Sequence, residues 1–144
     1  MTMKRFLMLG ALAAFAGCPE ETEPNACEML QVGDLVITEV MVDPEGTDTG
    51  NEWFEIFNML GTPVDLKGLT VVYAGADGAG AKTHIVRSGS VPARGYFTFG
   101  DVRSGANPSW IGYTYNSALG SFSNGSGQVA VRCGTKELSK LVWN

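Results

Sequence analysis

Cationic side chains are missing from a long stretch of this chain. Between Cys18 and Leu66 there are twelve acids and no Lys or Arg. A surface of that sign repels phosphate backbones, which disfavours nucleic acid as a partner. Histidine occurs once, at His84, and no serine has glycines two residues before and after it. The nucleophile elbow of a hydrolase is thereby excluded. Helical periodicity does not persist over any long window, which argues against a bundle. The one extended apolar run, Phe6 to Gly17, is too short to span a bilayer as a stable helix.

That run follows Lys4 and Arg5 and stops at Cys18, so residues 1–17 read as an export signal. Phe15, Ala16, Gly17 and Cys18 resemble the bacterial lipobox, in which small residues precede a cysteine that is acylated and becomes the new N-terminus. Phe15 stands where that motif usually carries Leu. Ala14, Phe15 and Ala16 also form an A-x-A site for ordinary signal peptidase, which would release a soluble chain starting at Gly17. Of three cysteines, lipidation of Cys18 leaves Cys27 and Cys133 as one even pair in an oxidising compartment. The lipoprotein reading is therefore preferred, with residues 18–33 as a lipid-anchored acidic tether. Residues 19–31, fully extended, would reach about 45 Å from the membrane.

About 126 residues remain after the signal, enough for one domain with its own core. The mature chain has eight basic residues against 15 acids, a net charge of −7, and all eight cations lie from Lys67 onward. Complementary rims on two facing sheets, one from each half, account for this split. A basic face built from Lys82, Arg87, Arg94 and Arg103 is the alternative. The 19 glycines and the short bursts of Val, Ile, Thr, Tyr and Phe are the composition of an all-β domain with frequent turns. Asp34 to Val42 is almost continuously apolar and predicts a central strand buried on both faces. Glu52 to Asn58 alternates and predicts a strand with one wet face. Further strands are predicted at Leu69 to Ala74, Thr83 to Arg87, Tyr96 to Gly100 and Trp110 to Tyr115, the last an aromatic edge. Gln128 to Cys133 and Lys136 to Trp143 predict a hairpin through Gly134 and Thr135. Seven or eight short strands of this kind suggest an immunoglobulin-like β-sandwich over residues 34–144.

Ile37, Thr38, Glu39 and Val40 leading to Asp43 and Pro44, the run Glu52 to Asn58 (EWFEIFN) and the run Val64 to Gly68 (VDLKG) together resemble the lamin tail domain. The corner Val91 to Tyr96 and the strand approach at Ser123, Asn124, Gly127, Gln128 and Val129 extend the likeness from about Asp34 to about Trp143. Leu69 departs from the Trp common in that family, Gln128 from a frequent acid, and the last hairpin holds Cys133. The resemblance implies an immunoglobulin-like sandwich serving as an interaction module. Nuclear lamins use it to contact proteins and DNA, and bacterial versions are attached to secreted or membrane-bound enzymes. The chain's end at Leu141, Val142, Trp143 and Asn144, with no polar tail, reads as that of a truncated copy of something longer.

Three constellations suggest sharper chemistry. Gly75 to Thr83 approaches a phosphate-binding loop, but Ala81 intrudes before Lys82 and β-branched residues follow where a helix is needed, so a hairpin loop is expected. Asp43, Glu45, Asp48, Asn51 and Glu52 offer hard oxygens to Ca²⁺ with no EF-hand spacing, so a solvated acidic turn without metal is expected. Glu39, Glu52 and Glu55 offer carboxylates, but strand alternation implies no cleft between them. No catalytic residue and no cofactor is expected, and His84 is expected as a hydrogen-bonded strand residue. Trp53, Phe54, Ile56, Leu66 and Tyr96 are the expected core. Trp110, Tyr113 and Tyr115 form an exposed aromatic set that covers a sheet edge or stacks on a sugar.

The sequence thus points to a non-catalytic, extracytoplasmic binding or scaffolding module of the bacterial cell envelope, held to a membrane by Cys18 and stapled by Cys27 and Cys133. Its contact loops would be Asp43 to Asn51, Gly75 to Ala81 and Asp101 to Ser109, with Asp43, Asp48, Asn51, Arg103 and Trp110 as candidate contacts. The partner would be a protein or surface polymer. The alternatives are a Ca²⁺-dependent adhesion module, a nucleic-acid-binding domain and a non-catalytic part of a larger exported enzyme.

Overall fold

The computed structural model describes residues 26–103 and 107–144. The signal segment 1–17, the lipidation residue Cys18, the first part of the tether and three residues of the Asp101 to Ser109 loop lie outside the described residues. After a 3₁₀ turn at Ala26–Met29 the chain forms β1 (Leu35–Met41), β2 (Trp53–Asn58), β3 (Val64–Asp65), β4 (Thr70–Ala74) and β5 (Lys82–Ile85). Then come β6 (Ser90–Val91), β7 (Tyr96–Gly100), β8 (Tyr113–Thr114), β9 (Gly127–Cys133) and β10 (Lys136–Trp143). One sheet has the order β1-β2-β7-β8, the other β10-β9-β4-β5, and β3 pairs with β6 in a small third sheet. This is the all-β, immunoglobulin-like sandwich expected from the sequence.

Alternation builds the core. Phe54 and Ile56 of β2 and Phe99 of β7 point inward, and Val71, Val129, Val131 and Leu138 face them from the second sheet. Phe54 and Phe99 stack with centroids 4.8 Å apart. Burying each such side chain contributes about 1.5–3 kcal/mol before chain entropy is charged against it. Leu66, Val86 and Val91 close one end of the sandwich, while Leu119 and Phe122 close the other.

The second sheet comes wholly from the half after Leu66, but the first combines β1 and β2 with β7 and β8 from that same later half. Sheets and charge halves therefore do not coincide. The expectation that β1 is central also fails, because it lies at the edge of its sheet. A bulge between Ile37 and Glu39 explains the misreading. Before it the inward residues are Leu35 and Ile37, and beyond it they are Val40 and Val42. Two half-buried patterns out of phase imitate one strand buried on both faces. A matching bulge between Glu137 and Ser139 lets the edges of the two sheets meet. There Ile37 N–H donates to Ser139 Oγ at 3.0 Å and Gly33 N–H to the Leu138 carbonyl at 2.9 Å, so neither edge is left open.

Tyr96 is 60% exposed and Trp53 half-buried, so neither belongs to the core, whereas Tyr115, expected outside, is buried. Register decides Tyr96: it pairs with Phe57 on the outer face of the first sheet. Cys27 and Leu30 are buried in the core, and Lys136 Nζ donates to the Leu30 carbonyl at 2.7 Å. The packed body therefore already includes residues 27–33, which the sequence suggested were tether.

Asn58 ends β2 fully buried. Its Nδ2 donates to the Thr62 carbonyl at 2.8 Å and to the Pro92 carbonyl at 3.0 Å, and its Oδ1 accepts the Leu60 N–H at 2.9 Å. One side chain thus holds two turns together. Asn58→Ala is expected to lower the unfolding free energy by about 2 kcal/mol, because buried backbone groups lose their partners. Urea denaturation would measure it, and a change within about 0.5 kcal/mol would contradict the assignment.

Candidate functional site

The strand order places the loops after β1, β4 and β7, together with residues 115–126, at one end of the sandwich. The candidate contact loops at 43–51, 75–81 and 101–109 thus share that end as far as they are described. Asn124 gathers the first of them: its Nδ2 donates to Asp48 Oδ2 at 2.9 Å and lies 3.5 Å from Asp43 Oδ1. Asn51 folds the same loop on itself, with its Nδ2 donating to the Thr47 carbonyl at 2.8 Å. Across the end, Tyr73 OH accepts the Ser123 N–H at 2.7 Å and Trp143 Nε1 donates to the Ser123 carbonyl at 2.9 Å.

Glu52 lies beneath these loops. Alternation through Trp53 turns it to the same side as Phe54, and it is 1% exposed. Its Oε1 accepts the Phe122 N–H at 2.7 Å, while Oε2 has no hydrogen-bond partner among the described residues. Its backbone carbonyl accepts the Asp101 N–H at 2.8 Å and the Tyr115 hydroxyl at 3.4 Å. Burial pushes the carboxyl from 4.5 up to about 7; the Phe122 N–H and Arg103 oppose the shift, and the Asp101 and Asp48 charges add to it. Asp101, also fully buried, is held by Arg103, whose Nε lies 3.0 and 2.8 Å from its two oxygens.

Beside this pair is a pocket of about 30 Å³ lined by Asn51, Glu52, Asp101, Pro108, Trp110 and Ile111. That volume suits a water molecule and is far below a substrate cleft. Trp110, 53% exposed, meets Trp53 edge-on at 5.5 Å. All five candidate contacts, Asp43, Asp48, Asn51, Arg103 and Trp110, therefore lie at one end. Asp48 and Arg103 are engaged by Asn124 and Asp101. Sequence reasoning missed the burial of Glu52: alternation turns it to the side of Phe54, but the residues that cover it lie 70 positions further along the chain.

Each of the three constellations has local contacts of its own. No group of three or more His, Cys, Asp or Glu converges among the described residues, and Asp43 and Asp48 accept hydrogen bonds from Asn124. The Gly75–Ala81 loop turns back on itself, with Gly78 N–H donating to the Gly75 carbonyl and Ala79 N–H to Asp77 Oδ1. Lys82 and Arg94 lie toward opposite ends, and Arg103 is committed to Asp101, so the four cations do not make one basic face. His84 Nε2 lies 2.8 Å from Tyr113 OH, linking β5 of one sheet to β8 of the other. Burial and nearby Arg87 lower its pKa, as suits a neutral structural imidazole.

At the opposite end Cys27 and Cys133 form a disulfide, their Cα atoms 5.7 Å apart. Cys133 closes β9 just before the Gly134 turn, so the bridge ties the start of the packed chain to the β9–β10 hairpin. A family model, the Lamin Tail Domain, matches residues 29–141. The chain belongs to the lamin tail domain family. That match starts five residues before Asp34, in agreement with Leu30 in the core. No curated protein matches the chain. The lamin tail domain is a family of non-enzymatic, immunoglobulin-like domains. Glu39 and Glu55 face outward from the first sheet while Glu52 faces inward, so they do not converge across a cleft.

Proposed function

We propose that this lamin tail domain is an extracytoplasmic binding module, held to a bacterial envelope membrane by lipidated Cys18 and presenting its loop end to a protein or surface polymer. The observation that carries the reading is the Cys27–Cys133 bridge. A buried disulfide closing most of the chain suits an oxidising compartment, which the export signal would reach. It also gives the module a direction. A tether arriving at Cys27 meets the end opposite the contact loops, and the seven residues of β9 separate the two by about 20 Å. Loops rooted on a stapled sandwich and facing away from their anchor are placed to meet a partner.

Intact mass of the protein recovered from a membrane fraction tests this. The expected mass starts at Cys18, carries acyl chains and gains two hydrogens on reduction. A mass starting at Gly17 without lipid would replace the anchor with free secretion.

A further inference from the structure

Residues paired across neighbouring strands share a face. On the outer face of the first sheet, this places Phe57 beside Tyr96 in one row, Glu39 beside Glu55 in the next, and Trp53 in a third. Successive rows lie about 7 Å apart along the strands. The outer rows are aromatic. Phe57 and Tyr96 rings meet at 4.8 Å, and Trp53 is bordered by exposed Trp110. The middle row sets two carboxylates directly opposite each other, Glu39 exposed and Glu55 half-buried.

Like charges in facing positions oppose sheet formation. No Lys or Arg among the described residues pairs with either: the ion pairs found there engage Asp101 and Glu137. Thr38 Oγ1 donates to Glu55 Oε1 at 2.8 Å, a neutral donor that leaves both charges uncompensated. The face therefore carries negative charge at its centre and apolar surface on both sides. An extended peptide repeats its side chains on one face at the same pitch of about 7 Å.

We infer that this face docks an extended segment of a partner protein in which an Arg is flanked, two residues away on each side, by apolar side chains. The guanidinium would lie over Glu39 and Glu55, where it satisfies both carboxylates, and the apolar groups would lie against Phe57 with Tyr96 and against Trp53 with Trp110. A neutral sugar would cover the rings and leave the facing carboxylates uncompensated, so the charge favours the peptide. The inference adds a contact surface on the sheet face, separate from the loop end, to the binding module proposed above and is independent of lipidation at Cys18.

The probe is the acetylated, amidated peptide Thr-Leu-Thr-Arg-Thr-Leu-Thr, titrated into the full chain and followed by amide chemical shifts. Shifts are expected at Glu55, Phe57, Tyr96 and Thr98, with none from the same peptide carrying Glu for Arg. Glu39→Gln and Glu55→Gln are each expected to weaken binding roughly tenfold. Both variants should keep or raise the melting temperature, which shows that the sheet is intact. No shift with the Arg peptide, equal shifts with the Glu peptide, or binding indifferent to both substitutions would overturn the inference. Shifts at the same residues with a cello-oligosaccharide and not with the peptide would overturn it in favour of a polymer. Failure of this test leaves the mass measurement to decide the anchored-module reading separately.

Discussion

Opening the Cys27–Cys133 bridge is expected to produce the largest loss of stability available from one local change. The two cysteines are 106 residues apart, and closing a loop of about that length removes denatured-state entropy equivalent to about 4.7 kcal/mol at 25 °C. Bridges usually deliver somewhat less, so a loss of about 3–4 kcal/mol is the expected result. For a body of this size that corresponds to a fall in melting temperature of about 12–16 °C. Both cysteines and Leu30 are buried, so reduction also frees Cys27 and Leu30 to leave the core. Calorimetry of the oxidised chain, the reduced chain and Cys27→Ala with Cys133→Ala would measure it. A drop under about 3 °C in both altered forms would show that packing alone holds the first turn.

The second large effect is on pH. Glu52 is pushed from 4.5 to about 7 in the folded protein, so between those values the native state keeps a proton that the unfolded chain has lost. Stability contributed by the protonated carboxyl is full below pH 4.5 and is lost as pH rises through 7. The loss amounts to at most about 3 kcal/mol, because each tenfold difference in proton affinity between the folded and unfolded chain is worth about 1.4 kcal/mol. Other groups act in the opposite sense. Arg132 and Lys140 hold Glu137 below its ordinary value, and His84 is held below its own, so both withdraw stability as pH falls.

Glu52→Gln isolates the first contribution. The amide oxygen can still accept the Phe122 N–H, and the nitrogen replaces the unpartnered Oε2 without a charge. Chemical denaturation from pH 4.5 to 8 is expected to show the variant matching the parent at the acid end and exceeding it at pH 8. Parallel curves would mean that Glu52 does not titrate in this range.

The chemistry of Glu52 was hidden in the sequence for a physical reason. Its acidic side chain reads as loop or wet face, and only the packing of residues 115–126 over the sheet end removes it from water and supplies the Phe122 N–H. Tyr115 was hidden in the same way, because a two-residue β8 gives alternation nothing to act on. Glu39 and Glu55 were visible as acids in two separate strands. That they face each other required the register, and the register here turns on a single bulge.

Sequence alone determined the class of this molecule. Period-two alternation, turn residues at short intervals and one even pair of cysteines specify a stapled β-sandwich, because they act locally or by counting. The EWFEIFN and VDLKG runs carried the family likeness, and in this chain they supply Phe54, Ile56, Val64 and Leu66 to the core and Asn58 to the turns beside it. Tertiary structure alone decided which strand is an edge, which acids are buried and which loops share an end. Those properties depend on contacts between residues dozens of positions apart, such as Glu52 with Phe122 and Ile37 with Ser139, and no local pattern encodes a partner at that distance.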